Sequence, residues 1–245
     1  MEEIKSFLLD YRKTFRSYVE EAYKLSNKVK LDTHDLTNLS TNYNLVSPIE
    51  EEFELDVREL ELNAINSSIN QKEIILFGSS TFRMWKNYEQ DLGGKNILNL
   101  AFGGSTLSSC RTYFERIFSN YSPKILLFYA GDNDIGRGLN SEQINQEFLL
   151  FATQAAEKLK NTKCFFISIK PSPFRKKFLK EITNTNNKIK KTINHLEKWK
   201  FIDICNPMLK AGYEKFYDQD QLHMNDLGYS LLSKLIRDEL SIFEN

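Results

Sequence analysis

The sequence predicts a doubly wound α/β protein: three layers, with a parallel five-stranded sheet between two layers of helices. Three observations predict it. Five short apolar runs, at 74–77, 97–100, 125–129, 164–169 and 201–204, lack the alternation of a half-solvated strand; strands buried on both faces read this way. Helical stretches separate them, at about 81–90, 105–119, 141–160, 174–199 and 226–241, and alternating strands and helices build a parallel sheet from βαβ units. Finally, each of the first four runs gives way to a cluster of Gly, Ser, Asn, Asp or Pro. Those are the carboxyl ends of the strands, where open parallel sheets bind ligands.

The elements follow in chain order. Residues 4–23 place Ile4, Phe7, Leu8, Tyr11, Phe15, Tyr18, Val19 and Ala22 at three-and-four spacing, the signature of one helix face. That face either packs on its own domain or meets a partner subunit as a homo-oligomer contact. Residues 31–50 are rich in Asn, Thr, Ser and Asp, with Pro48, and read as a loop. A second helix over 50–66 is charged outside and apolar at Phe53, Leu55, Val57, Leu60 and Leu62. The expected organisation is an N-terminal helical extension over 1–69 and an α/β domain over 70–245. No internal repeat interrupts either part.

Composition narrows the function classes. The chain has 245 residues, 41% apolar and 27% charged, with a formal net charge of +0. That is ordinary for a soluble domain and provides no overall attraction for nucleic acid or an anionic membrane. The apolar run at 125–130 is far too short to span a bilayer. The start, Met1-Glu-Glu-Ile-Lys, lacks the basic region and apolar core of a secretory signal. Three cysteines without a C-x-x-C pair suggest neither a disulfide framework nor a zinc site. Cys164 and Cys205 lie in apolar runs and are expected as buried thiols, and the expected compartment is the cytoplasm. There is no P-loop, no G-x-G-x-x-G and no G-x-S-x-G elbow, so a nucleotide site is not expected despite the fold class.

The chemistry collects after the strands. The first run leads into Gly78-Ser79-Ser80, the second into Ala101-Phe-Gly-Gly104, the third into Gly131-Asp-Asn-Asp134 and the fourth into Lys170-Pro-Ser-Pro-Phe-Arg175. Beyond the fifth, after a longer loop, stand Asp220 and His223. The topology brings all five to one edge of the sheet. Serine hydroxyl is a poor nucleophile and needs a base to take its proton and a carboxylate to orient that base. The chain has three histidines, His34, His195 and His223, and only His223 has a carboxylate three residues before it. Ser80 precedes a helical stretch, where the backbone N–H favours a developing anion. Gly104 lets its N–H approach a ligand closely, and Asn133 adds an amide donor. Three donors around one point form an oxyanion hole. Each fragment also has a plainer reading as a turn. Asp132-Asn-Asp134 could also be a metal loop, but Arg137 and Leu139 stand where a calcium loop needs oxygen ligands.

Taken together, the chain resembles the SGNH/GDSL hydrolase family. Its blocks appear in order: Phe77-Gly-Ser-Ser-Thr81, Asn99-Leu-Ala-Phe-Gly-Gly104, Gly131-Asp-Asn-Asp134 and the D-x-x-H of Asp220 and His223. The resemblance covers about residues 70–240 and implies the flavodoxin-like SGNH fold, a Ser80–His223–Asp220 triad and an oxyanion hole of Ser80, Gly104 and Asn133. One departure is Ser79, which stands where the family's usual Gly-Asp-Ser carries aspartate. Gly78-Ser-Ser-Thr-Phe-Arg-Met-Trp85 is similar to a subgroup that includes platelet-activating-factor acetylhydrolase subunits and bacterial esterases.

The expected activity is serine ester hydrolysis of short acyl esters, with no metal or organic cofactor. Thioesterase, lysophospholipase or acyltransferase chemistry would use the same residues, and a silent binding module is the rival from another class. Residues 174–200 hold nine basic side chains against two glutamates, either a solvated helix face or a site for an anionic partner. Ser79, Lys170 and Arg175 stand nearest the catalytic edge and are expected to contact substrate.

Overall fold

The computed structural model of the chain describes residues 49–66, 73–94 and 96–241. The expected helix at 4–23, the loop ahead of residue 49 and His34 lie outside them. The compact unit that carries the sheet runs from Glu50 to Asn245.

Five parallel strands form the sheet: β1 (Ile74–Gly78), β2 (Ile97–Asn99), β3 (Ile125–Tyr129), β4 (Lys163–Ile167) and β5 (Trp199–Ile202). Their order is β2-β1-β3-β4-β5, the doubly wound arrangement in which chain order reverses between β1 and β3. Side chains alternate across each strand, and here both faces are buried. Ile75, Phe77, Leu126, Phe128, Cys164 and Phe166 enter one core, while Ile74, Leu76, Leu127, Tyr129, Phe165 and Ile167 enter the other. That is why the strands read as unbroken apolar runs.

The first core is closed by α1 (Ile49–Asn66), α4 (Leu107–Ile117), α6 (Ser141–Lys158) and α7 (Leu179–Ile193). Phe77, Phe114, Phe118, Phe128 and Phe151 pack ring against ring within it. Phe53 and Val57 of α1 are buried there as well, so α1 packs as part of the α/β unit although it falls inside the expected extension over 1–69. The second core is closed by α2 (Ser80–Arg83), α8 (Cys205–Lys210) and α9 (Asp226–Ser241). There Trp85 stacks on Tyr229 with centroids 5.6 Å apart.

Several expected elements differ in extent. The helix expected over 81–90 is two single turns, α2 and α3 (Tyr88–Asp91). The helix expected over 105–119 starts later because Thr106 caps α4, accepting from the Ser109 N–H while Ser109 answers the Thr106 N–H, a capping box. The helix expected over 174–199 opens as a 3₁₀ segment, Pro173–Phe178, with a non-helical Arg175 (φ −103°, ψ 22°) before α7 begins. A short helix α5 (Asp132–Gly136) was not expected at all. Cys110, Cys164 and Cys205 are buried free thiols. No helix among the described residues is long and apolar enough to cross a membrane.

Candidate active site

The carboxyl ends of β2, β1 and β3 meet at the point where chain order reverses. β1 ends at Gly78, opposite Tyr129 in the β3 register, and the Ser79 N–H continues the ladder to the Tyr129 carbonyl at 2.9 Å. Ser80 then opens α2, a turn of four residues. So short a helix has little dipole, and what it can offer an anion is the set of N–H groups that any helix start leaves without an intrahelical acceptor. Asn99 at the end of β2 steadies this turn, donating to the Phe82 carbonyl at 2.7 Å.

The segment after β2 is drawn against β1 by a bond from the Phe102 N–H to the Gly78 carbonyl at 3.0 Å. Gly104 follows with φ +78°, a conformation that side chains other than glycine's tolerate poorly. The next turn is tied to the segment after β3. Asn133 Nδ2 donates to the Ser105 carbonyl at 3.0 Å, and Asp134 accepts the Leu107 N–H at 3.1 and 3.2 Å with its two oxygens. Ser80, Gly104 and Asn133 therefore belong to three segments laced together by backbone hydrogen bonds and by the Asn133 and Asp134 side chains.

Asp220 and His223 come from the loop between β5 and α9. The Asp220 carboxylate accepts the Leu222 and His223 N–H groups, each at 2.9 Å, and His223 Nδ1 lies 2.6 Å from Asp220 Oδ2. Burial works to raise this carboxyl, but the two N–H groups and the imidazole outweigh it and hold it down at about 2. Asp220 thus stays a carboxylate at any ordinary assay pH. On the other side of the ring, His223 Nε2 lies 3.2 Å from Ser80 Oγ. Hydroxyl, imidazole and carboxylate form one line, within the reach a nucleophile and its base require.

The three residues expected to contact substrate are buried. Ser79 is fully buried, its hydroxyl pointing away from solvent. Lys170 is 2% exposed, with Nζ 3.2 Å from Asp132 Oδ2 and set over the rings of Tyr129 and Tyr217. Burial alone would raise the Asp132 carboxyl, yet Lys170 and Arg175 bring it below its ordinary value. The Lys170 ammonium is committed to this pair and has no surface left for a ligand. Arg175 is 9% exposed and donates to Asn133 Oδ1 at 3.1 Å. Of the basic stretch over 174–200, Lys188 pairs with Glu142, Lys198 reaches the Lys160 carbonyl and Lys190 lies over Phe201. His195 is exposed, away from these loops. Among the described residues no cluster of His, Cys, Asp and Glu could hold a metal ion.

Asp134 was not singled out from the sequence. It is 1% exposed, and burial pushes its carboxyl up to about 7 against the opposing Leu107 N–H. An unfolded chain releases that proton near 4. The folded protein holds the extra proton between the two values, so this contribution to stability is complete below about pH 4 and is lost as pH rises to 7. Asp134→Asn keeps an oxygen for the Leu107 N–H and cannot ionise. The variant should lose less stability than the wild type between pH 5 and 8, by an amount of up to about 1.4 kcal/mol per pH unit. Urea unfolding at both pH values measures it; parallel profiles would show that Asp134 does not carry the proton.

The sequence matches the GDSL-like Lipase/Acylhydrolase family over residues 74–231, which spans the sheet, the loops and the D-x-x-H segment. The chain belongs to this family. Solved structures agree on the fold. A protein described as a platelet activating factor candidate from Streptococcus pneumonia superposes with a TM-score of 0.69 at 19% identity, covering 85% of this chain and 100% of that one. A GDSL-like lipase from Bacteroides thetaiotaomicron gives 0.65 at 18% identity, covering 76% and 97%. The psychrotrophic esterase EstA from a Pseudoalteromonas species gives 0.55 at 17%, covering 71% and 100%. A search of curated proteins found no match. Membership makes this family chain an acylhydrolase-type α/β protein, as its blocks implied.

Proposed function

We propose that the protein is a serine ester hydrolase for short acyl esters, with Ser80 as nucleophile. The observation that carries this reading is the line Ser80 Oγ–His223 Nε2–His223 Nδ1–Asp220 Oδ2, with its gaps of 3.2 and 2.6 Å. His223 takes the Ser80 proton as Oγ attacks the ester carbonyl, and the carbonyl electron pair moves to oxygen. The Ser80 and Gly104 N–H groups and the Asn133 amide receive that oxyanion, each worth on the order of 3 kcal/mol in comparable acyl transfer. Collapse of the tetrahedral centre breaks the ester C–O bond, and His223 returns its proton to the leaving alcohol. Water, deprotonated by the same imidazole, then attacks the acyl carbonyl, and as the C–Oγ bond breaks His223 hands that proton to Ser80 Oγ, releasing the carboxylic acid. Asp220 keeps the ring in the tautomer whose Nε2 faces Ser80.

An alkylphosphonate ester with a good leaving group tests the nucleophile directly, since it forms a tetrahedral adduct on an activated serine. The Pseudoalteromonas esterase was solved inhibited by monoethylphosphonate, which makes this reagent class a natural choice. Mass spectrometry should find one adduct, on the peptide carrying Ser80. An unlabelled protein, or a label elsewhere, would overturn the assignment.

The acyl preference follows from the loops. The turns after β1 and β3 are short, and no described segment between residues 100 and 220 forms a long apolar lid. A long chain would find little surface on which to recover the roughly 0.8 kcal/mol per methylene that a deep pocket supplies. Acetate and butyrate p-nitrophenyl esters should show higher kcat/KM than palmitate. A steady rise from acetyl to palmitoyl would point to lipase action instead.

A further inference from the structure

Asn133 is useful to an oxyanion only if its amide nitrogen, and not its oxygen, faces the reacting carbonyl. What sets that orientation is Arg175. A guanidinium has donors and no acceptor, so the group 3.1 Å from Arg175 Nη2 must be Asn133 Oδ1. The opposite end of the amide agrees, because Nδ2 donates to the Ser105 carbonyl at 3.0 Å. With both ends fixed, the second N–H of Nδ2 is the one left for a ligand oxygen.

The fold goes to some length to bring this arginine inward. The helical path breaks at Arg175 itself, the non-helical residue of the Pro173–Phe178 segment. Its guanidinium lies against the backbone of α5 at Gly136, where a Cβ would come within 1.9 Å of Nη1. Any side chain there would force the guanidinium to shift. The same segment is anchored on the other half of the site, since the Phe174 N–H donates to the Gln221 carbonyl at 3.0 Å, between Asp220 and His223. One short stretch thus braces both the amide donor and the acid–base loop.

We propose that Arg175 is a positioning residue of the ester hydrolysis: it locks the Asn133 amide with nitrogen toward the oxyanion. This rests on the reading of Asn133 as an oxyanion donor. The oxyanion exists in the transition state and not in bound ester, so the loss should fall on kcat rather than KM.

The test compares wild type, Arg175→Met, Arg175→Lys, Asn133→Ala and the Arg175→Met/Asn133→Ala double variant on p-nitrophenyl acetate. Arg137→Met, on an exposed arginine paired with Glu52, serves as control. Asn133→Ala should lower kcat on the order of 10²- to 10³-fold. Arg175→Met should lower it by about 10- to 100-fold, less than outright loss of the donor, with KM within about twofold. Arg175→Lys should recover part of the loss, and the double variant should be no slower than Asn133→Ala alone. An unchanged kcat in Arg175→Met, or multiplying losses in the double variant, would overturn the proposal.

A wild type without esterase activity would sink the ester reading and leave only the locking of the Asn133 amide to be tested. The Asn133 side-chain amide signals in ¹⁵N spectra then decide: they should shift and exchange faster in Arg175→Met and Arg175→Lys, and not in Arg137→Met. Unmoved signals would overturn it. Should Arg175→Met fail to fold, Arg175→Lys carries both readouts.

Discussion

Ser80→Ala should abolish ester hydrolysis, lowering kcat on the order of 10⁴- to 10⁶-fold, as loss of the nucleophile does in triad hydrolases. The fold should be untouched, because Ser80 Oγ is bonded to His223 Nε2 at a partly open position and alanine keeps the backbone of the turn. Ser79→Ala is the matched control. Its hydroxyl is buried and finds no protein partner among the described residues, and removing a buried hydroxyl without a partner is close to neutral. That variant should keep substantial activity and an unchanged melting temperature. Initial rates on p-nitrophenyl acetate and thermal unfolding by circular dichroism separate the cases. An inactive Ser79→Ala beside an active Ser80→Ala would mean that the nucleophile is the preceding serine.

The sheet was legible because its physics leaves a mark on every strand. A strand covered on both faces must be apolar at consecutive positions, and five such runs are all five strands. The ends were harder. Ile169 and Ile204 extended the last two runs in the sequence, yet Ile169 leaves the ladder to bond Asn186, and Ile204 caps α8. Apolar residues are buried there without being in a strand. The single-turn helices were also unreadable: α5 has five residues and α8 six, too few for a helical period to show.

The candidate site was legible to the extent that its residues follow strands. Ser80, Gly104 and Asn133 could be placed on one edge from topology, and Asp220 and His223 from their spacing. Arg175 was placed near the catalytic edge as a substrate contact from its position after the fourth run, but nothing in its run of lysines marks that it turns inward to Asn133. Lys170 misled for the same reason, since a buried lysine and a substrate-facing lysine look alike until their partner Asp132 is seen.

Gly78→Ala should cost the protein several kcal/mol and much of its soluble yield. Gly78 ends β1 with φ +128°, and a Cβ there would stand 1.9 Å from the Tyr129 carbonyl oxygen and 2.7 Å from its carbon. Neither neighbour can yield, because both are β3 backbone and that same oxygen accepts the Ser79 N–H. The disallowed backbone conformation costs about 1–3 kcal/mol and forced overpacking about as much again, against a total stability of about 5–15 kcal/mol. For a chain of this size each kcal/mol lowers the melting temperature by about 2–4 °C, so a drop of roughly 10 °C or more is expected. Gly138→Ala separates the two contributions. Gly138 also has a positive φ, +92°, but nothing lies within 4 Å of its Cβ position, so it should show the conformational cost alone. Whatever Gly78→Ala protein folds should also be slow, because relieving the clash moves β1 away from β3 and carries Ser80 off the His223 ring. Equal melting temperatures for the two variants would show that β1 and β3 can part at this point without loss, and that the close approach behind Ser80 is not what holds it in place.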